Sequence, residues 1–343
     1  MSYIAIDVGS GLVKFSNSDG RSLFPSLVGK IKPADSFKLG LDDHQSIKVK
    51  DTHWMTGLAA QSYIDENSRI QATKSSWSET DGHLILLYSA ISFLYPQGFK
   101  GIMRIVTGLP MKKYLKEVGN YTNKLIGIHK FSTPVHEYEV EFTEESTVVI
   151  PQVIGLHFSN MLKNEKGPNW QELKIGYIDP GTQTTGWAVM DDGIFQNLLS
   201  DGEDVGLIKL ALEIKKYLKS KYDFTPTDNV VVLKALTKGY IDIWENNVQI
   251  RIDLVEVSQQ FVPEVYKDVL NKILKMWNKA QDMHVVLSSG GGKYLINTVQ
   301  KHIPHAVLLN KPLKIKKGSV DNSNEAIYDV TEGYAVYAES ANA

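Results

Sequence analysis

The chain has 343 residues with 37 basic and 39 acidic side chains, 43% hydrophobic residues, 22% charged residues and no cysteine. That composition supplies a core for two domains of about 150 residues each and excludes a largely disordered chain. The lack of cysteine removes disulfides, thiolate zinc sites, iron–sulfur clusters and cysteine nucleophiles together, and the net charge of −2 carries no basic footprint for nucleic acid.

In chain order, Tyr3 to Asp7 reads as a buried strand that turns at Gly9-Ser10-Gly11 and returns over Leu12 to Ser16. No basic leader precedes it, so a secretory signal is not expected. An alternating run at Ile47–Val49 and a strand ending at Trp54-Met55 precede a small helix over 57–63. A buried helix is expected over Leu84–Leu94. The surrounding apolar stretch ends at Tyr95 and contains two serines, too short to cross about 30 Å of bilayer. A strand is expected over Ile102–Val106, closed by Thr107-Gly108-Leu109-Pro110. Tyr138–Phe142 alternates as a half-buried strand with Thr147–Val149 as its expected partner. Pro151 is placed to start a helix that carries Gln152 in its first turn and runs to about Leu162.

Asn164–Gln171 is rich in polar residues, Gly and Pro and reads as a linker. Ile175–Ile178 is a strand turning at Asp179-Pro180-Gly181, and Leu207, Leu210, Ile214 and Leu218 have helical spacing. Val248–Leu254 pairs with Ile241–Trp244 across Asn246-Asn247. A long helix is expected from Pro263 to about Gln281, then a strand at His284–Leu287 and a glycine-rich turn at Gly290-Gly291-Gly292. The lysine runs, Lys215-Lys216-Lys219-Lys221 and Lys311-Lys314-Lys316-Lys317, read as solvated faces.

One internal repeat stands out. Ile6-Asp7-Val8-Gly9-Ser10 and Ile178-Asp179-Pro180-Gly181-Thr182 share the pattern apolar, Asp, any residue, Gly, hydroxyl, with the aspartates 172 residues apart. Two similar α/β halves facing each other follow from it. Glycine-rich turns after strands leave backbone N–H groups free to converge on an anion, and side chains there would keep phosphate oxygens away. Ser10 and Thr182–Thr185 add hydroxyl donors, and Lys14 adds a positive charge. Asp7 and Asp179 would hold one Mg²⁺ through water, as that ion prefers beside nucleotide phosphates. The Walker pattern and the dinucleotide fingerprint are both absent, and no His-Glu-x-x-His occurs.

Together these residues resemble the actin-like ATPase superfamily. Ile6-Asp7-Val8-Gly9-Ser10-Gly11-Leu12-Val13-Lys14 is similar to its first phosphate motif and Ile178-Asp179-Pro180-Gly181-Thr182-Gln183-Thr184-Thr185 to its second. Val286–Gly292 is similar to its adenosine motif, Pro151–Gly155 to its first connecting helix and Glu325–Ala338 to its second. Phe24-Pro25-Ser26, Trp54–Ala59 and Val106–Pro110 resemble the bacterial and archaeal ParM-type plasmid-segregation branch. Thr182, Gln183 and Gly186 depart from the family pattern.

The resemblance implies an α/β actin-like fold, the duplicated ribonuclease-H-like arrangement, with two related domains around a nucleotide cleft. Domain I would span 1–163, with a small subdomain at about 31–75, completed by a C-terminal helix at 323–343. Domain II would span 164–322, with a small subdomain at about 202–258. It further implies an ATPase, with ATP or ADP and Mg²⁺ as cofactors and Gln152, Asp7 and Asp179 as catalytic residues. Asp7 and Asp179 would be the metal residues, acting through water. Gly9, Ser10, Gly11 and Lys14 would hold phosphates from one side and Gly181, Thr182, Gln183 and Thr184 from the other. Lys216, Lys219, Gly290, Gly291 and Gly292 would lie toward the nucleoside. The implied partners are further copies of the chain in a filament and a DNA-binding adaptor, in the cytoplasm, without direct nucleic-acid or membrane contact. A small-molecule kinase of the sugar or acetate type on the same fold is the alternative.

Overall fold

The structure, a computed structural model, describes residues 2–32, 42–70, 77–163, 172–226, 228–309 and 328–340. The linker at 164–171, the lysine run at 311–317 and residues 323–327 and 341–343 of the expected last helix lie outside the described residues.

The chain opens with β1 (Tyr3–Val8), β2 (Leu12–Ser16), β3 (Arg21–Pro25), β4 (Val28–Ile31), β5 (Ser46–Val49) and β6 (Thr52–Thr56). All six residues of β1 are buried, as suits an apolar run inside a sheet covered on both faces. Helix α1 (Gly57–Tyr63) leads to α2 (Asp81–Leu94), whose first turn is capped by the Thr80 hydroxyl accepting from the His83 N–H at 3.3 Å. Helix α2 is apolar nearly all round because it is covered on two sides, by β1 and β2 and by β4, β5 and β6.

Next come β7 (Phe99–Ile102), β8 (Arg104–Leu109), α3 (Met111–Leu125), β9 (Gly127–Ser132), β10 (Glu137–Phe142), β11 (Thr147–Pro151) and α4 (Gly155–Lys163). One sheet has the order β11-β8-β1-β2-β3, and a second has the order β4-β6-β5-β9-β10-β7. This second sheet takes strands from 28–56, 99–102 and 127–142, a wider set than the 31–75 segment alone.

The later segment holds β12 (Ile175–Pro180), β13 (Thr185–Asp191), β14 (Ile194–Phe195), β15 (Asp201–Glu203), α5 (Leu207–Tyr222) and α6 (Asn229–Lys238). It continues through β16 (Tyr240–Glu245), β17 (Val248–Asp253), α7 (Leu254–Ser258), α8 (Val262–Val265), α9 (Lys267–Met276), β18 (His284–Leu287), α10 (Ser289–Gln300), β19 (Val307–Leu308) and α11 (Asp329–Ser340). Its main sheet has the order β14-β13-β12-β18-β19, with β15 also on β13. The repeat is thus structural: β1 and β12 each pair antiparallel with the following strand and parallel with a later one.

Five local expectations change. Thr147–Val149 does not pair with Tyr138–Phe142; β10 already lies between β9 and β7, so β11 adds to β8 in parallel instead. The segment expected as one strand over 102–106 is two strands in different sheets, β7 and β8, parting at Met103. The single helix expected over 263–281 is broken, because Tyr266 leaves helical geometry at ψ 8° and Asn278, Lys279 and Ala280 have φ of 46°, 59° and 54°. Gly290–Gly292 is no turn but the opening of α10, where packing overrides the low helix propensity of glycine. The helix expected from Pro151 also begins later, with Pro151 ending β11 and a 3₁₀ turn over Gln152–Ile154 preceding α4.

Helices α4 and α11 fill the layer between the two related sheets. Ala5 and Val106 from one sheet and Tyr177, Ala188 and Val286 from the other share a core with Val153, Leu156, Val330 and Tyr334. The helices cross tightly because Gly155 and Gly333 face each other, and a side chain at Gly333 would collide with the Gly155 carbonyl.

Candidate functional site

Both strand–turn units end at the same place. Asp7 is opposite Lys14 in the β1–β2 register, whereas Asp179 is opposite Gly186 in the β12–β13 register. The second copy of the repeat therefore brings a carboxylate without a lysine of its own. Lys14 Nζ lies 2.9 Å from Asp7 Oδ2, and the charge of Asp179 also acts on it. Burial works against the charge of Lys14, but Asp7 and Asp179 outweigh it and hold its pKa above the ordinary lysine value. Burial raises the pKa of Asp179, with Lys14 opposing the rise and Asp7 adding to it. Asp7 itself is only 4% exposed. One buried cation between two carboxylates leaves a net negative charge, which suits a divalent cation.

Gln152 joins the same cluster. Its Nε2 donates to Asp7 Oδ1 at 2.7 Å, so the two oxygens of Asp7 are held by Gln152 and by Lys14. The parallel pairing of β11 on β8 brings Gln152 to the end of the strand beside β1.

The turns are shaped for close approach. The space a Cβ on Gly9 would enter lies 2.9 Å from the Leu12 carbonyl oxygen, and a Cβ on Gly11 would collide with the Thr182 hydroxyl. The first and second turns thus meet directly at Gly11 and Thr182. Ser10 follows Gly9 in the first turn, and the Ser26 hydroxyl braces that turn by donating to the Gly9 carbonyl at 2.5 Å. In the second turn Gly181 N–H donates to the Thr184 carbonyl at 2.8 Å. The opening of α5 supports it from below: Leu207 and Ile208 donate to the carbonyls of Gly181 and Thr182 at 3.0 and 2.9 Å. Gly206 permits this, since a Cβ there would come within 2.5 Å of the Thr182 carbonyl oxygen and 2.6 Å of the Gln183 carbonyl carbon.

A cleft opens beside these groups, lined by Gln152, Asp179, Gly181, Thr184, Thr185 and Gly186 from the predicted motifs and their neighbours. Pro110, Met111 and Lys112 complete it from α3 and the residue before it. The opening of α10 reaches the second turn: a Cβ on Gly291 would collide with the Pro180 carbonyl, and one on Gly292 would sit 2.8 Å from Leu287 Cβ. Gly290 lies in the same first helical turn.

Lys216 and Lys219 stand apart from this cluster. Lys216 pairs with Glu213 at 2.7 Å and Lys219 with Asp223 at 3.9 Å, both on the exposed side of α5, and neither acts on Asp179. Other contributors carried no motif. Lys234 Nζ on α6 donates to Gln61 Oε1 on α1 at 2.8 Å, a bridge between elements 173 residues apart. Arg69 holds that end of α1 by donating to the carbonyls of Gln61 and Ile64 at 2.9 Å each. No periodicity announces such a pair. Ser26, Gly155 and Gly333, by contrast, lie inside or beside segments whose sequence already stood out.

Among the described residues no helix is long and apolar enough to cross a membrane, and no group of three or more His, Cys, Asp or Glu side chains is gathered as a metal site.

Residues 5–155 match the family model for the N-terminal domain of actin-like proteins. No curated protein sequence matches the chain. Among solved structures, the ParM of a 15-stranded filament from Clostridium botulinum is 21% identical, with 99% of each chain covered and a TM-score of 0.73. An archaeal actin homologue in complex with ADP is 17% identical, covering 99% of this chain and 100% of its own, with a TM-score of 0.72. Bacillus thuringiensis ParM with AMPPNP is 16% identical, covering 100% of this chain and 99% of its own, with a TM-score of 0.65. At these identities the likeness is one of fold.

Proposed function

From its actin-like fold, with an actin-like N-terminal domain over residues 5–155, we propose that this chain is an ATPase that binds ATP and Mg²⁺ between its two halves and assembles into filaments. The observation that carries this reading is the convergence of Asp7, Asp179, Lys14 and Gln152 from two copies of one strand–turn unit. The relatives in complex with ADP and AMPPNP, and the relative seen as a filament, support it. We take 1–163 with 323–343, and 164–322, as the two domains.

In this reading the backbone N–H groups of Gly9–Gly11 and Gly181–Thr184, with the hydroxyls of Ser10 and Thr182, surround the phosphates. Lys14 moves its charge from Asp7 to the phosphate oxygens. Asp7 and Asp179 would hold the hydrated cation, which would supply positive charge beside the phosphates. Gln152 cannot serve as a general base, because an amide does not take a proton near neutral pH. It can accept from and donate to one water at once, aligning it for in-line attack on the terminal phosphorus. Gly290–Gly292 lie toward the nucleoside. Lys216 and Lys219, on α5, would border the adenine.

The cellular role we infer is the movement of plasmid DNA in the cytoplasm, with the DNA gripped through an adaptor protein, as the near-zero net charge of −2 favours. Light scattering with ATP, with ADP and without nucleotide, followed by electron microscopy, tests the filament. Assembly that depends on ATP and magnesium is expected. No polymer under any salt or magnesium condition would overturn the filament reading, and no nucleotide binding would overturn the reading of the cleft.

A further inference from the structure

Tyr334 lies on α11 in the layer between the two related sheets and has no exposed surface. Its hydroxyl occupies the slot left open by Gly108, where any side chain would collide with it. Gly108 lies on β8, next to β1, and opposite Ile150 on β11, two residues before Gln152. The hydroxyl therefore lies under the strand ends that present Asp7 and Gln152. The charges of both Asp7 and Asp179 act on it, and together with burial they hold the phenol in its protonated, donor form. Among the described residues this hydroxyl has no hydrogen-bond partner.

Buried phenols usually find a partner, because an unpaired donor in a dry interior is costly. Both oxygens of Asp7 already take donors: Oδ1 takes the Gln152 amide and Oδ2 takes Lys14. That arrangement changes if Lys14 turns to a phosphate, because Asp7 then loses one of its two donors.

We propose that Tyr334 is a positioning residue whose hydroxyl donates, through water, to the Asp7–Asp179 pair when the cleft holds magnesium nucleotide. The inference rests on the reading of the cleft given under Proposed function. It assigns to the second connecting helix a direct hand in the metal-binding carboxylates. The helix that joins the halves would then sense occupancy through one hydroxyl, while its glycine crossing with α4 governs packing alone.

The test is Tyr334→Phe, which keeps the ring that fills the core and removes only the donor. Thermal unfolding is measured without nucleotide, and ATP affinity is measured by calorimetry across a magnesium titration and in EDTA. Without nucleotide, Y334F is expected to melt no lower than wild type, since it loses a hydroxyl without a partner. The gain in ATP affinity conferred by magnesium is expected to shrink about tenfold, the scale of one hydrogen bond made through water to a charged group. A magnesium-dependent gain equal to that of wild type would overturn the proposal. So would a nucleotide-free Y334F that melts well below wild type, because the hydroxyl would then have a protein partner. Wild-type protein that gains nothing from ATP and magnesium would overturn the reading of the cleft itself, which separates the two failures.

Discussion

Gln152 and Asp7, 145 residues apart in the chain, are joined by a 2.7 Å hydrogen bond from the amide Nε2 to the carboxylate Oδ1. The bond holds the side chain proposed to orient water against one of the two carboxylates proposed to hold the cation. Gln152→Ala is expected to lower ATP hydrolysis about 100-fold, the cost of losing positioning of a reactant. ADP affinity should change little. Phosphate release and nucleotide titration measure the two separately, and normal turnover would remove the role given to Gln152.

Asp179 trades stability for charge. Its pKa is raised in the folded protein by burial, so the folded state holds its proton more tightly than the unfolded chain, whose value is near 3.8. The sign follows: its contribution is most favourable below that value and is lost as pH rises through the folded pKa. Asp179→Asn should therefore melt higher than wild type at neutral pH without nucleotide, with the difference vanishing in acid. The same variant should lose the magnesium-dependent part of ATP affinity. A neutral-pH melting point below that of wild type would contradict the account.

Two histidines set an acid limit. Burial pushes His157, whose ring nitrogen lies 3.1 Å from the Tyr177 hydroxyl, down to about 4. Burial, with Lys124 and Lys113, pushes His83 down to about 3. In both cases the unfolded chain takes up the proton first, so stability is full above the ordinary value of 6.5 and is lost as pH falls toward the folded values. His157→Gln should flatten the loss between pH 6.5 and 4 by ~3 kcal/mol at most. Urea unfolding at a series of pH values reads the slope, and an unchanged slope would count against the assignment.

Gly333→Ala tests the crossing of α4 and α11. The added methyl meets the Gly155 backbone, which has no flexible end to move aside. A loss of about 3 kcal/mol is expected, the upper part of the range for overpacking a tight core. Denaturant titration checks it, and Gly20→Ala, with nothing within 4 Å of the added Cβ, is the control.

The Lys234–Gln61 bridge links α6 to α1, helices from the later and earlier segments of the chain. Lys234→Met should release a fluorescent nucleotide about fivefold faster, as loss of one partly buried hydrogen bond of about 1 kcal/mol implies. Gln61→Leu should do the same, and the double variant should add nothing, since both remove one contact. Stopped-flow displacement gives the rates.

Much of the candidate site is legible in the sequence, for local reasons. A strand followed by Asp-x-Gly is written in adjacent residues, so Asp7, Lys14 and Asp179 were found from spacing alone, and the β1–β2 register sets Lys14 against Asp7. The hairpin Tyr240–Asp253 was equally readable, because strict alternation around Asn246-Asn247 has one solution. Helices α3 and α6 carried no comparable signal. Gly290–Gly292 read as a turn because glycine is a poor helix former, and only contact with Pro180 and Leu287 explains glycine inside α10.

The sequence by itself determined which residues can bear charge and which turns are free of bulky side chains, because those properties depend on side-chain chemistry and near neighbours. It also determined that the chain is a repeat, and hence that the two carboxylates would face one cleft. Tertiary structure alone decided who meets whom: Gln152 with Asp7, Gly11 with Thr182, Gly155 with Gly333, and Tyr334 with Gly108. These contacts join residues far apart in the chain and have no period to betray them. They depend on the parallel placement of β11 and the packing of α11 between two sheets, which the folded core selects as a whole.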